Sequence, residues 1–227
     1  MENIATYLVV CPHCGAVKRV AFSTIPWHKV NYTLWSDSRI ESDEWCEAAW
    51  TQQCPACKHF FSLPHMQVEE TQCEDTGALP YQTLKQAIVE LSGSGVGEKN
   101  ARMEAWWAYN KQYGDMDDPC IPDEEKEFNS SNMQWLVDYY IQEHPCQYSL
   151  VFELLRLLGK IDDYNKLLNY LSYDRFVEWK RARYKKHGSE SLMSESLLSE
   201  ESLKRSYKDF VNDKKDALQR PPRPFKR

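Results

Sequence analysis

The chain has 227 residues, of which 42% are hydrophobic, and its formal net charge is −6 at pH 7. This length suits one large domain or two small ones, and the apolar content excludes wholesale disorder. No stretch approaches the roughly 18 apolar residues that a membrane span needs, and residues 1–10 lack the pattern of a secretory signal. We therefore expect a cytoplasmic protein without a membrane partner, in which the eight cysteines stay reduced.

Charge is distributed unevenly along the chain. Residues 1–173 carry 13 Lys and Arg against 25 Asp and Glu, whereas residues 174–227 carry 15 against 9. The acidic part argues against nonspecific nucleic-acid binding by the N-terminal segment. The basic part is expected either to bind an anionic partner or to lie against the acidic part of its own chain.

The N-terminal segment combines β-rich runs with two Cys-x-x-Cys turns. Alternation and β-branched or aromatic content predict strands at residues 7–10, 17–22, 31–35, 39–41 and 58–63, and residues 48–53 lead into the second Cys-x-x-Cys turn. Two of the connections are the turns Cys11-Pro12-His13-Cys14 and Cys54-Pro55-Ala56-Cys57. We call these the first and second knuckle, and we expect residues 1–66 to form a small β domain.

The two knuckles predict one metal site. A Cys-x-x-Cys turn lets both thiolates face a single ion, so two turns supply a tetrahedron of soft ligands. The predicted ligands of a structural Zn²⁺ are Cys11, Cys14, Cys54 and Cys57. The alternative is a pair of disulfides or redox-active thiols. His13 lies within the first knuckle but is not needed as a ligand, because four thiolates complete the coordination.

Four further cysteines have no Cys-x-x-Cys spacing and are expected to be idle thiols: Cys46, Cys73, Cys120 and Cys146. A second metal site is the weaker alternative. A catalytic pair of Cys146 with His144 is not supported, because adjacency in sequence says nothing about useful geometry.

Tryptophans are numerous in both halves of the protein. Those of the β segment are expected to form its core and its contact with the helices; an exposed aromatic patch that binds a partner is the alternative. The candidate partner-binding residues are Trp35, Trp45, Trp106 and Trp107.

From residue 81 onward the apolar residues recur at helical spacing. The predicted helices span residues 81–91, 98–113, 131–144, 147–158, 162–171 and 173–186, and residues 203–218 again fit a helical face. The acidic, proline-containing residues 115–127 are predicted to be a loop. Gly93 to Asn100 superficially matches a phosphate-binding loop, but Glu98 would repel phosphate, so we interpret this segment as a linker between helices.

The helix at residues 173–186 is strongly basic. Its candidate anion-binding residues are Arg175, Lys180, Arg181, Arg183, Lys185 and Lys186. The interleaved Phe176, Trp179 and Tyr184 suit stacking on single-stranded nucleic acid. We favour the alternative, in which the aromatic side chains pack inward and the cations are solvated.

The knuckles, the run Tyr32-Thr33-Leu34-Trp35 and the aromatic pair Phe60-Phe61 together resemble a group of uncharacterised bacterial proteins. In that group a zinc ribbon precedes a helical part related to tetratricopeptide repeats, and Leu158 to Tyr164 is similar to the turn within such a repeat. The resemblance implies a degenerate repeat, because Tyr164 replaces the usual alanine and no 34-residue period is present. It implies a fold rather than an activity.

The sequence therefore predicts an α+β protein in three parts: a zinc-ribbon domain at residues 1–66, an antiparallel, tetratricopeptide-like helical domain at 67–187, and a Ser/Glu-rich hinge with a mobile basic tail at 188–227. The expected function is a non-enzymatic adaptor that binds another protein and contains structural zinc. The alternatives are a nucleic-acid-binding accessory protein that uses residues 175–186 and the tail, and a thiol-based enzyme or redox sensor.

Overall fold

The computed structural model describes residues 4–24, 29, 31–34, 40–41, 49–63, 67–69, 77–113, 121–142, 147–186 and 200–220. Within these ranges, short antiparallel strands come first and seven α-helices follow, so the predicted α+β class is confirmed. The chain forms two compact units, one within Met1–Asn132 and the other within Met133–Arg223. These bounds differ from the predicted domain ranges, and the three-part division stays a prediction.

The longest strands surround the first knuckle. β1 (Ile4–Val10) and β2 (Val17–Ser23) pair antiparallel along their whole length, from Ile4 opposite Ser23 to Val10 opposite Val17. A third strand, β7 (Gln67–Glu69), pairs with the other edge of β1. β7 was not predicted from the sequence, because three residues are too few to show an alternating pattern.

In the described residues, two further pairs of short strands are present. β3 (Thr33–Leu34) pairs with β4 (Ile40–Glu41), and β5 (Thr51–Gln53) pairs with β6 (Phe60–Ser62), which brings the second knuckle to the end of the β5–β6 hairpin. Successive residues of a strand face opposite sides. Accordingly Phe61 of β6 joins the core around the cysteines, whereas Phe60 joins a second core with the helices.

The first unit continues with α1 (Tyr81–Glu90) and α2 (Val96–Tyr113). The core beside β6 contains seven buried residues: Phe60, Tyr81, Leu84, Ala87, Ile88, Ala101 and Ala105. Three alanines of this core let the two helices approach closely. The β segment therefore shares its hydrophobic interior with the helices that follow it.

The segment that superficially matches a phosphate loop forms the start of α2, as the linker interpretation predicts. Ser94 Oγ accepts a hydrogen bond from the Glu98 amide at 3.0 Å, and the Glu98 carboxylate accepts one from the Gly93 amide at 2.7 Å. This is a reciprocal cap of a helix N-terminus. Glu98 is also paired with Arg102 at 2.8 Å, so its charge is already matched.

Helix α3 (Asp123–Gln142) begins eight residues before the predicted start at residue 131, and the predicted loop at 115–127 is therefore wrong from Asp123 onward. The amides of Glu125 and Lys126 donate to the Pro122 carbonyl. Proline is tolerated at a helix start, and acidic residues in a first turn interact favourably with the helix dipole. The features that suggested a loop are therefore those of a helix N-terminus.

The second unit is helical. Besides the last part of α3 it contains α4 (Tyr148–Leu157), α5 (Ile161–Tyr170), α6 (Tyr173–Lys186) and α7 (Glu200–Ala217). The bounds agree with the predicted helices to within three residues. The turn between α4 and α5 contains Gly159 at φ +67°, a conformation that favours glycine.

An aromatic cluster forms the core of the second unit. Phe152 of α4 lies 4.7 Å from the ring of Tyr164 and 5.8 Å from that of Phe210. Phe176 of α6 lies 5.4 Å from Phe210, and these ring contacts join α4 through α7. The buried Tyr164 hydroxyl donates to the Lys214 carbonyl at 2.6 Å. α7 is thus a packed helix within the range predicted as hinge and tail.

Candidate metal centre

The two knuckles have the same backbone hydrogen bonds. In the first, the Cys11 amide donates to the Ala16 carbonyl at 2.9 Å, and the Gly15 amide donates back to the Cys11 carbonyl at 2.9 Å. In the second, the Cys54 amide donates to the His59 carbonyl at 2.9 Å. Each knuckle is therefore a closed loop at the end of a hairpin, and the hairpins β1–β2 and β5–β6 fix the ends of these loops.

The fourth residue after the first cysteine of each knuckle has a positive φ. In the first knuckle it is Gly15 at +74°, and in the second it is Lys58 at +65°, whose amide donates to the Cys54 carbonyl at 3.0 Å. A non-glycine residue pays a steric penalty in this region, of about 1–2 kcal/mol. The knuckle geometry thus imposes strain on Lys58 that glycine avoids in the first knuckle.

The four cysteine sulfurs form one cluster. The Sγ atoms of Cys11, Cys14, Cys54 and Cys57 all lie within 4.8 Å of one another. Two of the sulfur–sulfur contacts cross between the knuckles, at 3.7 Å for Cys11 with Cys57 and 3.6 Å for Cys14 with Cys54. Tetrahedral coordination with metal–sulfur bonds of about 2.3 Å places sulfurs about 3.8 Å apart. The cluster therefore matches the size of a metal centre.

These cysteines are free thiols in the structure. A disulfide requires sulfurs about 2.05 Å apart, which is far shorter than the contacts between the knuckles. Four sulfurs in a tetrahedron suit Zn²⁺ or iron, so this donor set can hold a metal ion and does not by itself distinguish the two.

Burial differs between the four sulfurs. Cys11 and Cys54, the first cysteine of each knuckle, are 2% and 0% exposed, whereas Cys14 is exposed and Cys57 partly exposed. The buried pair belongs to a hydrophobic core with Val9, Val20 and Phe61. The cluster thus has one side enclosed by apolar side chains and one side near solvent.

Backbone amides stabilise charge on the second knuckle. The Cys57 amide donates to Cys54 Sγ at 3.4 Å and, against the opposing effect of burial, lowers the pKa of the Cys54 thiol to about 6. The His59 amide acts in the same direction on Cys57, but burial and the neighbouring thiols outweigh it and raise the pKa of that thiol. Within the second knuckle, the Cys54 thiol therefore ionises more readily than the Cys57 thiol.

A carboxylate of α1 contacts the chain just after the second knuckle. Glu90 Oε1 accepts from the Phe60 amide at 3.0 Å and lies 2.7 Å from His59 Nδ1. Burial opposes ionisation of Glu90, but the hydrogen bonds from His59 and Phe60 lower the pKa of its carboxyl overall. The His59 ring stacks on that of His13, with centroids 4.6 Å apart, which links the two knuckles beside the sulfurs.

Helix α2 contacts the strands of the second hairpin in a comparable way. The Glu104 carboxylate accepts from the Trp50 amide and, at 3.1 Å, from the Thr51 amide. Asn100 donates to Ser62 Oγ at 2.8 Å. Glu90 and Glu104 were not predicted as supporting residues from the sequence. The amides that they bind are 30 to 54 residues away, and no local pattern around either glutamate indicates them.

Two of the four candidate partner-binding tryptophans lie in the described chain. Trp106 is fully buried, so its prediction as a partner-binding residue is wrong: the period of α2 places this ring inside the protein. Trp107 is half-buried, and its ring lies 5.3 Å from that of Trp50, which belongs to the β segment. Trp35 and Trp45 lie outside the described residues.

Among the described side chains of the basic helix α6, the cations are exposed or half-buried and Phe176 packs inward. Arg175 and Arg181 are exposed and Lys180 is half-buried, and burial lowers the pKa of Lys180. The Arg175 guanidinium lies 3.7 Å from the centroid of the Tyr170 ring. Phe176 is 2% exposed. The side chains of Arg183, Lys185 and Lys186 lie outside the described part.

The packing of Phe176 and Trp179 follows the interpretation favoured from sequence. Their rings lie 5.4 and 5.7 Å from that of Phe210 in α7. Several other residues singled out from sequence lie outside the described chain, together with the tail from residue 221: Cys46, Cys73, Cys120, His144 and Cys146.

An open groove of about 640 Å³ lies between α3, α4 and α5 in the second unit. Its floor contains the buried side chains of Val137, Leu155 and Leu167. Ile141 and Tyr170, at 49% and 52% exposure, form part of its rim. This concave surface, which is lined by both apolar and charged side chains, was not predicted, since it depends on the relative placement of three helices.

The site thus defined is a four-cysteine cluster that can hold a metal ion. A comparison with protein-family models, with curated proteins and with solved structures gives no match for this chain. In the described residues, no helix combines the length and apolar character that crossing a membrane requires.

Proposed function

We propose that this protein is a non-enzymatic protein-interaction module in which a structural Zn²⁺ is bound by Cys11, Cys14, Cys54 and Cys57. The observation that carries the metal site is the convergence of the four sulfurs within 4.8 Å. Four protein thiolates fill a tetrahedral coordination sphere and leave no open position for substrate, which is the arrangement of structural rather than catalytic zinc.

The small size of the β segment supports a structural role for the metal. β5 and β6 have three residues each, and so short a hairpin is marginal without further support. Structural Zn²⁺ contributes apparent binding free energies of about 10–16 kcal/mol that are also folding free energy. In this proposal the ion joins the two hairpins into one unit.

Metal analysis of the purified chain tests this role. We expect one equivalent of zinc in the wild-type protein, and loss of metal with a lower melting temperature in Cys11→Ser and in Cys54→Ser. Cys146→Ser, which changes a cysteine outside both knuckles, is the matched control and should keep the metal. Full metal content in both knuckle variants would refute the proposal.

The redox alternative makes a different prediction for thiol titration. A closed zinc site protects its four thiols until a chelator removes the metal, so chelation should increase the number of reactive thiols by four. Thiols of the knuckles that react fully in the metal-loaded protein would favour a thiol-based enzyme or redox sensor instead.

The groove between α3, α4 and α5 supports the interaction part of the proposal. Exposed apolar side chains at the rim of a concave surface are typical of sites that receive a peptide segment or helix of another protein. Quantitative affinity capture from a native extract should recover a partner with the wild-type chain and with Val89→Arg, but not with Ile141→Arg. Val89 is the control, because its side chain is 76% exposed and lies in α1, outside the groove. Equal capture by all three proteins would exclude the groove as the binding surface.

Nucleic-acid binding through α6 and the tail has less support. Stacking on bases needs available ring faces, whereas Phe176 is buried against α7. A salt-dependent shift of a labelled single-stranded oligonucleotide, lost after deletion of residues 174–227, would favour this alternative; absence of binding at low salt would remove it.

A further inference from the structure

The segment after the second knuckle links the metal ligands to α1. The His59 carbonyl accepts a hydrogen bond from the Cys54 amide at 2.9 Å. The backbone of His59 therefore closes the second knuckle. The Glu90 carboxylate makes two contacts with this segment. Its Oε1 accepts a hydrogen bond from the Phe60 amide at 3.0 Å and lies 2.7 Å from His59 Nδ1.

We propose that Glu90 is a positioning residue of the metal centre and raises its affinity by holding the second knuckle in the metal-binding geometry. This inference rests on the proposed metal site. In the described residues the second hairpin is a two-stranded sheet of three residue pairs, so its own ladder gives little rigidity. Groups that orient ligands from outside the coordination sphere change metal affinity by about 10–100-fold.

The physical cause is preorganisation. The hydrogen bond from the Cys54 amide requires the His59 carbonyl to keep a defined orientation. With Glu90 in place that orientation exists before the metal binds. Without it, part of the binding free energy is consumed in ordering the loop, and the measured affinity falls.

Glu104 provides a matched comparison. It also binds the second hairpin with a carboxylate on two amides, those of Trp50 and Thr51. Trp50 lies just before β5 and Thr51 is its first residue, and neither forms one of the backbone hydrogen bonds that close the knuckle. Removal of Glu104 should therefore lower the stability of the fold without a comparable effect on metal affinity.

The experiment measures Zn²⁺ affinity of the full chain by competition with a chromophoric chelator, together with thermal unfolding. Glu90→Ala should weaken zinc binding by about 10–100-fold. Glu90→Gln should recover part of this loss, because its amide oxygen can still accept the Phe60 N–H. Glu104→Ala should change affinity by less than about 3-fold, well below the range for ligand-orienting groups, while lowering the melting temperature.

Cobalt substitution adds a readout that fold stability alone does not change. Co²⁺ bound to four thiolates has visible absorption bands that respond to ligand geometry, and we expect these to shift in Glu90→Ala but not in Glu104→Ala. Equal affinities in wild type and Glu90→Ala, or an equal loss in both alanine variants, would overturn the positioning role. Absence of zinc or cobalt binding by the wild-type chain would instead overturn the proposed metal site.

Discussion

The two hairpins that carry the knuckles are built differently. The first has strands of seven residues that pair along their full length, and β7 extends its sheet. The second has three pairs and relies on Glu90 and Glu104 of the helices, with Phe60 buried between those helices. One half of the metal centre is thus supported by backbone hydrogen bonds within its own sheet, and the other half by side chains from later in the chain.

This difference explains why the β segment and the first helices form one compact unit. A hairpin as short as β5–β6 does not persist alone, so the second pair of sulfurs depends on α1 and α2 for its position. The first pair depends on its own sheet. The metal centre therefore joins the β1–β2 hairpin, which its own sheet stabilises, to the β5–β6 hairpin, which α1 and α2 stabilise.

Removal of the metal should produce the largest difference in stability between the two hairpins. Chelation removes a contribution on the order of 10 kcal/mol, and we expect the amides of β5 and β6 to lose protection from hydrogen exchange first, while part of the β1–β2 ladder persists. Exchange in α4 to α7 should not change. The comparison would be wrong if β1–β2 lost protection before β5–β6.

Truncation of an aromatic side chain in each hairpin should have the second largest effect on stability. Phe60→Ala should lower the free energy of unfolding by about 3–5 kcal/mol, because it leaves a cavity between β6 and the helices. Phe22→Ala on β2 should cost less, since Phe22 is partly exposed and stacks on Tyr7 at 3.7 Å. Denaturant titration at saturating zinc measures both, and equal losses would show that the hairpins are equally dependent on packing.

Substitution of the two residues with positive φ, Gly15 and Lys58, should have the smallest effect on stability. Lys58→Gly should stabilise the chain by up to about 1 kcal/mol by removing strain, and Gly15→Ala should destabilise it by about 1–2 kcal/mol. A Cβ at Gly15 would meet no atom within 4 Å, so the cost there is one of backbone conformation alone. Thermal unfolding of the zinc-loaded variants measures the difference. A destabilising Lys58→Gly would mean that the lysine side chain contributes more than the strain costs.

The predictable part of this protein was local. A Cys-x-x-Cys turn specifies its own geometry over a few residues, so the cluster of Cys11, Cys14, Cys54 and Cys57 followed from spacing. The helices after residue 147 were also well placed, because apolar residues recur at helical spacing in them and only short turns separate α4, α5 and α6.

The remainder depended on contacts that are distant in sequence. The three residues of β7 become a strand only because the free edge of β1 is available to them. In the sequence, Glu90 and Glu104 cannot be told from other surface charges of a helix. Only the fold shows that their carboxylates accept hydrogen bonds from the second hairpin. Trp106 and Trp107 are neighbours on α2, and sequence alone did not show that only one of them would be fully buried.

The adjacent rings of Phe60 and Phe61 limit how this chain can change in length. They enter different cores, and Cys57 lies three positions before the first of them. Deleting or inserting a single residue between Cys57 and Phe60 would turn each ring to the opposite side of β6 while the ligands stayed in place. Natural variation in length should therefore be accepted far more readily in the long connection from β2 to β5 than in this short stretch.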